Sequence, residues 1–189
     1  MTPAEPHVRP TRHRLTSMTS TSQRTTAWDV YESPFGPLTL LAGPDGLTGL
    51  AFPGRATGLA EEDRDPAALA AATGQLEAYF AGERRAFDLS LDLAGTPFQQ
   101  RVWAELRRIP YGETVSYSQL AERIGRTDIV RAVGAAVGRT PVPIIVPCHR
   151  VVGADGSLTG YGGGLPRKRA LLDLEAGRPT DAFAQLALL

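Results

Sequence analysis

Residues 144–152 read IIVPCHRVV, the most informative stretch of the chain, in which an apolar run broken by a proline leads into a cysteine, a histidine and an arginine. It places Cys148, the only cysteine of the chain, directly before His149 and Arg150. Cysteine attacks as its thiolate, and a free thiol with a pKa of about 8.5 needs a neighbouring base or positive charge to ionise at neutral pH. His149 and Arg150 are both candidates for that task. The alternative is a structural cysteine, a small apolar side chain buried in the core.

The backbone around Cys148 cannot form an ordinary central strand, because proline has no N–H to donate and three prolines lie here: Pro141, Pro143 and Pro147. We therefore expect a fixed, irregular path, which is typical of a functional site. Neighbouring side chains of an extended chain point to opposite faces, so Cys148 and His149 can cooperate only through a bend or a bridging water. Glu175 ends a predicted helix over residues 166–175, where its charge meets the negative end of the helix dipole. That position favours a partner, and a histidine is a natural one.

Three motifs in this half of the chain carry a resemblance to a known family. PCHRVV at 147–152, GYGGGL at 160–165 and LLDLE at 171–175 resemble the active-site signature of the O6-alkylguanine-DNA alkyltransferases, also called methylated-DNA–protein-cysteine methyltransferases. The resemblance runs from about Thr96 to Gly177 and, more weakly, upstream to about Trp28. It implies DNA repair by a single-turnover cysteine S-methyltransferase, which moves the alkyl group of O6-alkylguanine irreversibly to Cys148. O4-alkylthymine is a second candidate substrate, and no cofactor is implied.

The chain divides into four predicted segments with an α+β fold overall. Residues 1–26 have almost no large apolar side chains and form a predicted disordered tail, with an organelle transit peptide or a translation start at Met18 as alternatives. Residues 27–93 alternate short apolar runs with turns, then supply a helix over residues 66–80, which predicts a small antiparallel sheet with a helix on it. Residues 94–178 read as helices, including a helix-turn-helix over residues 118–138, and residues 179–189 form a second tail. The resemblance implies a ribonuclease-H-like scaffold domain followed by a winged helix-turn-helix domain.

The composition is that of a compact protein: 189 residues, 42% of them hydrophobic, without an apolar stretch as long as a membrane span. A single cysteine excludes an intramolecular disulfide, and three histidines form no zinc signature, so we expect no metal. We also expect a cytoplasmic monomer without a membrane partner, associated with the nucleoid if the source is bacterial. The resemblance implies double-stranded DNA containing O6-alkylguanine as the partner.

Formal net charge is zero, but the two halves differ in sign. Residues 96–177 hold eleven Arg or Lys against seven Asp or Glu, a net of +4, whereas residues 27–95 hold four against eleven, a net of −7. Phosphate binding therefore belongs to the half that carries the cysteine, although ordinary surface charge would explain a patch of this size.

The predicted helix over residues 127–138 has one face of valines and a second face of very small side chains around an arginine. The valines are Val130, Val133 and Val137, and the second face comprises Arg131, Gly134, Ala135 and Gly138. Tight helix packing would explain such a face, but glycine costs a helix roughly 1 kcal/mol relative to alanine. The resemblance implies that Arg131 fills the gap left when the damaged nucleotide rotates out of the duplex, with Gly134 and Ala135 against the DNA and Tyr117 driving the rotation.

Rotation is required because O6 of guanine lies within the base stack, where a thiolate cannot attack the alkyl carbon in line. The glycines of residues 160–164 can bring backbone N–H groups close to a flat purine, although a flexible surface loop is the plainer interpretation. The resemblance implies a base-binding set around this loop: Val151, Tyr161, Gly162, Gly163 and Lys168.

The remaining roles are carried over from the family. Glu175 orients His149, which takes the proton of Cys148 through a water. Tyr117 also donates to the guanine ring, and Arg150 braces the site. Thr140 stands where the family has an asparagine that braces the turn, so we expect a looser or slower site.

Two rival functions remain open. A non-catalytic lesion sensor would bind alkylated DNA and recruit other repair factors, but such relatives lack the cysteine. A Cys-His-Glu hydrolase could use the same side chains, but the helix-turn-helix disfavours it.

Overall fold

The sheet of the amino-terminal half forms where short apolar runs alternate with turns. A computed structural model describes residues 25–178, so the predicted tails lie outside the described residues except for positions 25 and 26. Strands β1 (Ala27–Ser33), β2 (Gly36–Gly43) and β3 (Gly46–Ala51) pair antiparallel in the order β1-β2-β3. The β2–β3 turn needs glycine at position 46, because φ is +142° there and a Cβ atom would lie 2.4 Å from the Ser90 carbonyl oxygen. These strands confirm the predicted antiparallel sheet.

Helix α1 (Pro66–Phe80) covers this sheet. Asp65 caps it by accepting a hydrogen bond from the Ala68 N–H, and proline at the first position needs no such partner. Leu69, Leu76 and Tyr79 recur at helical spacing and are buried. The observed bounds are those predicted from the sequence.

The carboxyl-terminal half is helical, as predicted. Helices α2 (Pro97–Leu106) and α3 (Tyr117–Arg123) both begin with capping boxes, formed by Thr96 with Gln99 and by Ser116 with Gln119. The predicted helix over residues 127–138 is divided into a 3-10 turn over Thr127–Ile129 and helix α4 (Val130–Gly138).

Two further elements complete this half of the chain. A short parallel pair joins β4 (Val115–Ser116) to β5 (Val151–Val152). Helix α5 (Leu165–Glu175) starts one residue before the predicted range. Within residues 25–178, no helix is both long and apolar enough to cross a membrane.

One of the two apolar cores is shared between the halves. It joins buried side chains of the sheet and α1 to others from the active-site segment and α5, including Val142, Ile144, Ile145 and Leu171. A backbone hydrogen bond of 2.9 Å from the Leu50 N–H to the Pro141 carbonyl ties β3 to the same segment. The second core lies among α2, α3 and α4 and reaches Cys148. The cysteine therefore lies where the two halves meet.

Candidate active site

The segment before Cys148 is irregular, as its prolines predict. Ile144 has no exposed surface and a φ of +75°, a conformation that β-branched residues rarely adopt. The Val146 N–H donates to the Val142 carbonyl across 2.9 Å, and Cys148–Arg150 forms a single 3-10 turn. In this turn, consecutive side chains no longer have to point to opposite faces, as they do in an extended chain.

Cys148 lies at a pocket and is nearly buried, with 6% of its surface exposed. Burial raises the pKa of its thiol to about 11, although a hydrogen bond with the Thr140 side chain and the charge of Lys168 act in the opposite direction. At neutral pH the resting side chain is therefore a thiol, and a base must remove its proton before it attacks.

Glu175 accepts five hydrogen bonds at the end of α5. Its Oε1 accepts from His149 Nε2 at 2.8 Å, from Arg150 Nη2 at 2.8 Å and from the Tyr79 hydroxyl at 2.7 Å. Its Oε2 accepts from Arg150 Nε at 2.8 Å and from the Gly112 N–H at 3.1 Å. Burial would raise the pKa of this carboxyl, but the hydrogen bonds and charges of His149 and Arg150 outweigh burial and hold it well below its usual range. Glu175 is therefore ionised, and the predicted pairing with His149 is present.

His149 is completely buried, with one ring nitrogen engaged and the other open. Because the Glu175 carboxylate has no proton to donate, the imidazole proton lies on Nε2. Nδ1 then carries a lone pair, and no partner for it exists among residues 25–178. Burial lowers the pKa of the imidazole, with Glu175 opposing that shift, so His149 is neutral at neutral pH. A neutral imidazole with a free Nδ1 can accept a proton.

Arg150 lies where a brace is expected. Besides its two bonds to Glu175, its Nη1 donates to the Ile109 carbonyl across 2.6 Å, and its guanidinium lies over the Tyr111 ring, 5.7 Å from the centroid. These contacts fix Glu175 against the segment that follows α2.

The pocket beside Cys148 is built by both halves of the chain. Tyr161 and Gly162, two of the residues predicted to bind the base, line it, and Thr140 also lies on its wall. Gly163 lies where a Cβ atom would come within 2.7 Å of the Phe52 ring and 2.8 Å of the Tyr161 ring, so only glycine fits there without a shift. Unforeseen from the sequence, the wall also includes residues from β3 and the loop after it: Leu50, Ala51, Phe52 and Arg55.

Val151 and Lys168, two other predicted base-binding residues, lie outside that lining. Val151 is buried in β5, and the buried ammonium of Lys168 donates to the Val151 carbonyl and, across 2.7 Å, to the Thr159 carbonyl. Burial lowers the pKa of Lys168 to about 8. The structure therefore places Lys168 as a tie between β5 and the start of the glycine-rich loop.

The predicted DNA-binding residues share one surface. Arg131 and Ala135 are exposed on α4, while Val133, Ala136 and Val137 are buried beneath them. A Cβ atom on Gly134 would lie 3.7 Å from the Tyr117 ring at the start of α3, so this ring rests against the small face of α4. The helix-turn-helix thus presents an arginine and a tyrosine together.

Thr140 closes the turn that leaves α4. Its hydroxyl donates to the Val137 carbonyl across 2.8 Å, and the same proton can instead be donated to Cys148 Sγ once the thiolate forms, an interaction that lowers the pKa of the thiol. The side chain therefore connects α4 to the nucleophile, and the expected loosening of the site remains a prediction. In the part of the chain that the structure describes, no cluster of three or more His, Cys, Asp or Glu residues could hold a metal ion.

Comparisons with known proteins agree on one family. Two family models match: the ribonuclease-like domain of 6-O-methylguanine DNA methyltransferase over residues 27–93, and its DNA-binding domain over residues 97–177. A methylated-DNA–protein-cysteine methyltransferase of Mycobacterium tuberculosis H37Rv is 54% identical over 157 residues, covering 79% of this chain and 93% of the relative. One from Methanosarcina acetivorans is 46% identical over 149 residues, covering 77% and 96%. The crystal structure of Mycobacterium tuberculosis OGT in complex with DNA has a TM-score of 0.76 and 53% identity, and the match covers 83% of this chain and 98% of that one. The predicted fold is thereby confirmed, and the chain belongs to the family of methylated-DNA–protein-cysteine methyltransferases.

Proposed function

We propose that this chain repairs double-stranded DNA by moving the alkyl group of O6-alkylguanine to the Sγ atom of Cys148, once per molecule. One observation carries the proposal: the buried thiol of Cys148 lies at a pocket, and the next residue in the chain is a neutral histidine that an ionised glutamate holds. The names of the relatives, and the DNA complex of one of them, support DNA as the partner. We expect the protein to act as a monomer in the cytoplasm, with O4-alkylthymine as a second substrate.

DNA binding is assigned to the surface of α3 and α4. The small face of α4 permits close approach to the duplex, and Arg131 is the cation that can enter the space left by an extruded base. Tyr117, packed on Gly134, lies where it can stabilise the rotated nucleotide. Arg131, Gly134, Ala135 and Tyr117 therefore form the proposed DNA contact.

The extruded base is assigned to the pocket beside Cys148. Tyr161 and Gly162 offer a ring and an unobstructed backbone, and Gly163 lets the loop approach Phe52 closely. The Lys168 ammonium holds this loop to β5, so its proposed role is to keep the base-binding shape.

Chemistry begins with the thiol proton. His149 Nδ1 accepts the proton from Cys148, through a bridging water, while Nε2–H remains bonded to Glu175. The thiolate then attacks the alkyl carbon, forming the C–S bond as the C–O6 bond breaks and its electron pair stays on guanine. The Tyr117 hydroxyl donates to the guanine ring as that charge develops. The thioether product does not hydrolyse, so the reaction ends after one transfer and requires no cofactor.

The test is intact-protein mass spectrometry after incubation with a duplex that contains one O6-methylguanine. We expect the mass of one methyl group to be added, saturating at one per protein, and peptide mapping to place it on Cys148. The Cys148→Ala variant should show no addition. Tight, lesion-selective binding without a mass change would instead support a non-catalytic sensor, and turnover of a thioester would support a hydrolase.

A further inference from the structure

Glu175 receives one of its hydrogen bonds from the amino-terminal half of the chain. The Tyr79 hydroxyl, near the end of α1, donates to Glu175 Oε1 across 2.7 Å, although the two residues are 96 positions apart. Tyr79 has no exposed surface, and its ring contacts those of Phe80, Phe87 and Tyr111. Packing therefore holds the hydroxyl at this oxygen.

The Tyr79 hydroxyl shares Oε1 with the imidazole of His149. Arg150 is the third donor to that oxygen, and it also bonds Oε2 together with the Gly112 N–H. Each donor neutralises part of the carboxylate charge, so each weakens the attraction between Oε1 and the Nε2 proton of His149. A weaker attraction makes the imidazole less basic at Nδ1.

We propose that Tyr79 is a positioning residue for alkyl transfer, whose hydroxyl fixes Glu175 Oε1 and sets how strongly His149 Nδ1 attracts the thiol proton. This inference rests on the proposed role of His149 as the base. It also assigns the amino-terminal half a part in the chemistry beyond that of a scaffold. Other titratable and charged groups lie around Tyr79 and His149, and a conservative change of Tyr79 leaves them in place. They are Cys148, Arg150, Tyr161, Lys168, Glu175 and Tyr111.

The sign of the effect follows from the hydrogen bonds. Tyr79→Phe removes one donor from Oε1, so Glu175 attracts the imidazole proton more strongly and His149 becomes more basic. Because His149 must be neutral to accept the thiol proton, transfer is lost as the pH falls through the pKa of His149. We expect the acid limb of the rate profile to move up by about 0.5 to 1 pH unit in Tyr79→Phe.

The experiment measures single-turnover transfer from an O6-methylguanine duplex to the full chain across the acid limb. Tyr31→Phe is the matched control, because Tyr31 stacks on Phe80 in the same aromatic cluster, at 6.1 Å between centroids, and is not a donor to Glu175. A second variant replaces Tyr79 with 3-fluorotyrosine, which fills nearly the same space as tyrosine but has a hydroxyl that is a stronger hydrogen-bond donor. The acid limb of this variant's rate profile should therefore move to lower pH.

An unchanged acid limb in Tyr79→Phe would overturn the inference, whatever happens to the plateau rate, because a purely packing role does not move it. If Tyr79→Phe fails to fold, the 3-fluorotyrosine protein provides the test. A downward shift of its acid limb would support the inference, and an unchanged acid limb would overturn it. An NMR titration of the His149 imidazole measures its basicity directly and does not depend on alkyl transfer. If the wild-type protein transfers no alkyl group, the proposed function is refuted. If the His149 titration midpoint is equal in the wild type and in Tyr79→Phe, the role of Tyr79 is refuted.

Discussion

Replacing Glu175 with glutamine should destabilise the fold severely, because the change leaves a buried positive charge without its partner. Arg150 is 6% exposed and makes two of its three hydrogen bonds to the Glu175 carboxylate. Removing one partner of a buried ion pair costs about 3–5 kcal/mol. For a folded unit of this size, each kcal/mol lowers Tm by about 2–4 °C, so we expect Glu175→Gln to melt roughly 6–20 °C lower.

The matched control for this prediction is Asp173→Asn on the same helix. Asp173 pairs with Arg178, whose side chain is 62% exposed, so the same acid-to-amide change should cost less than about 1 kcal/mol. Differential scanning calorimetry measures both variants. If Glu175→Gln lowers Tm no further than Asp173→Asn does, the carboxylate does not hold Arg150 and the reasoning is wrong.

The stability of the wild type and that of Glu175→Gln should depend differently on pH. The pKa of Glu175 is lower in the folded protein than in the unfolded chain, so its contribution to stability is present above the unfolded value, about 4.3. That contribution is lost as the pH falls toward the folded value. Wild-type stability should therefore drop with acid more steeply than that of Glu175→Gln, and parallel curves would contradict the assigned charge state.

The remaining predictions concern transfer and DNA binding. Cys148→Ala should abolish transfer while duplex affinity, measured by fluorescence anisotropy, stays within about threefold, since alanine removes only the nucleophile; loss of both would indicate a structural cysteine. Arg131→Ala should slow transfer from duplex DNA by about tenfold or more but leave reaction with free O6-benzylguanine nearly unchanged, because only the duplex requires base extrusion; equal losses would remove that role. Thr140→Val should slow transfer at neutral pH by about tenfold, because the Cys148 thiolate loses a hydrogen-bond donor that lowers the pKa of the thiol, whereas Thr140→Ser should restore most of the rate. Thr140→Asn should raise rate and Tm if threonine loosens the turn, and unchanged values would end that hypothesis.

Local signals made much of the fold predictable. A capping side chain or a proline marks the start of every α-helix of the described residues except α4, so the bounds of α1 matched the prediction and those of α5 differed by one residue at the start. The Glu175–His149 pair was also predictable, because a carboxylate at the carboxyl end of a helix is unfavourable without a partner.

Long-range packing was not predictable from the sequence. Nothing local marks Tyr79 as a donor to Glu175, or Phe52 and Arg55 as pocket walls, because these contacts exist only once the halves are packed together. Lys168 shows the same limit. The family resemblance implied a contact with the base, whereas the burial of Lys168 against two backbone carbonyls depends on the fold of β5 and α5.

The shared core bears on whether the chain can be divided or recombined. A fragment that begins at α2 would lose the sheet and α1, and so would expose the apolar side chains of Val142, Ile144, Ile145 and Leu171 to water. Such a fragment would tend to aggregate, and a chimera carrying another amino-terminal half would need a matching apolar surface. The two halves are therefore poor candidates for exchange as independent modules, although each matches its own family model.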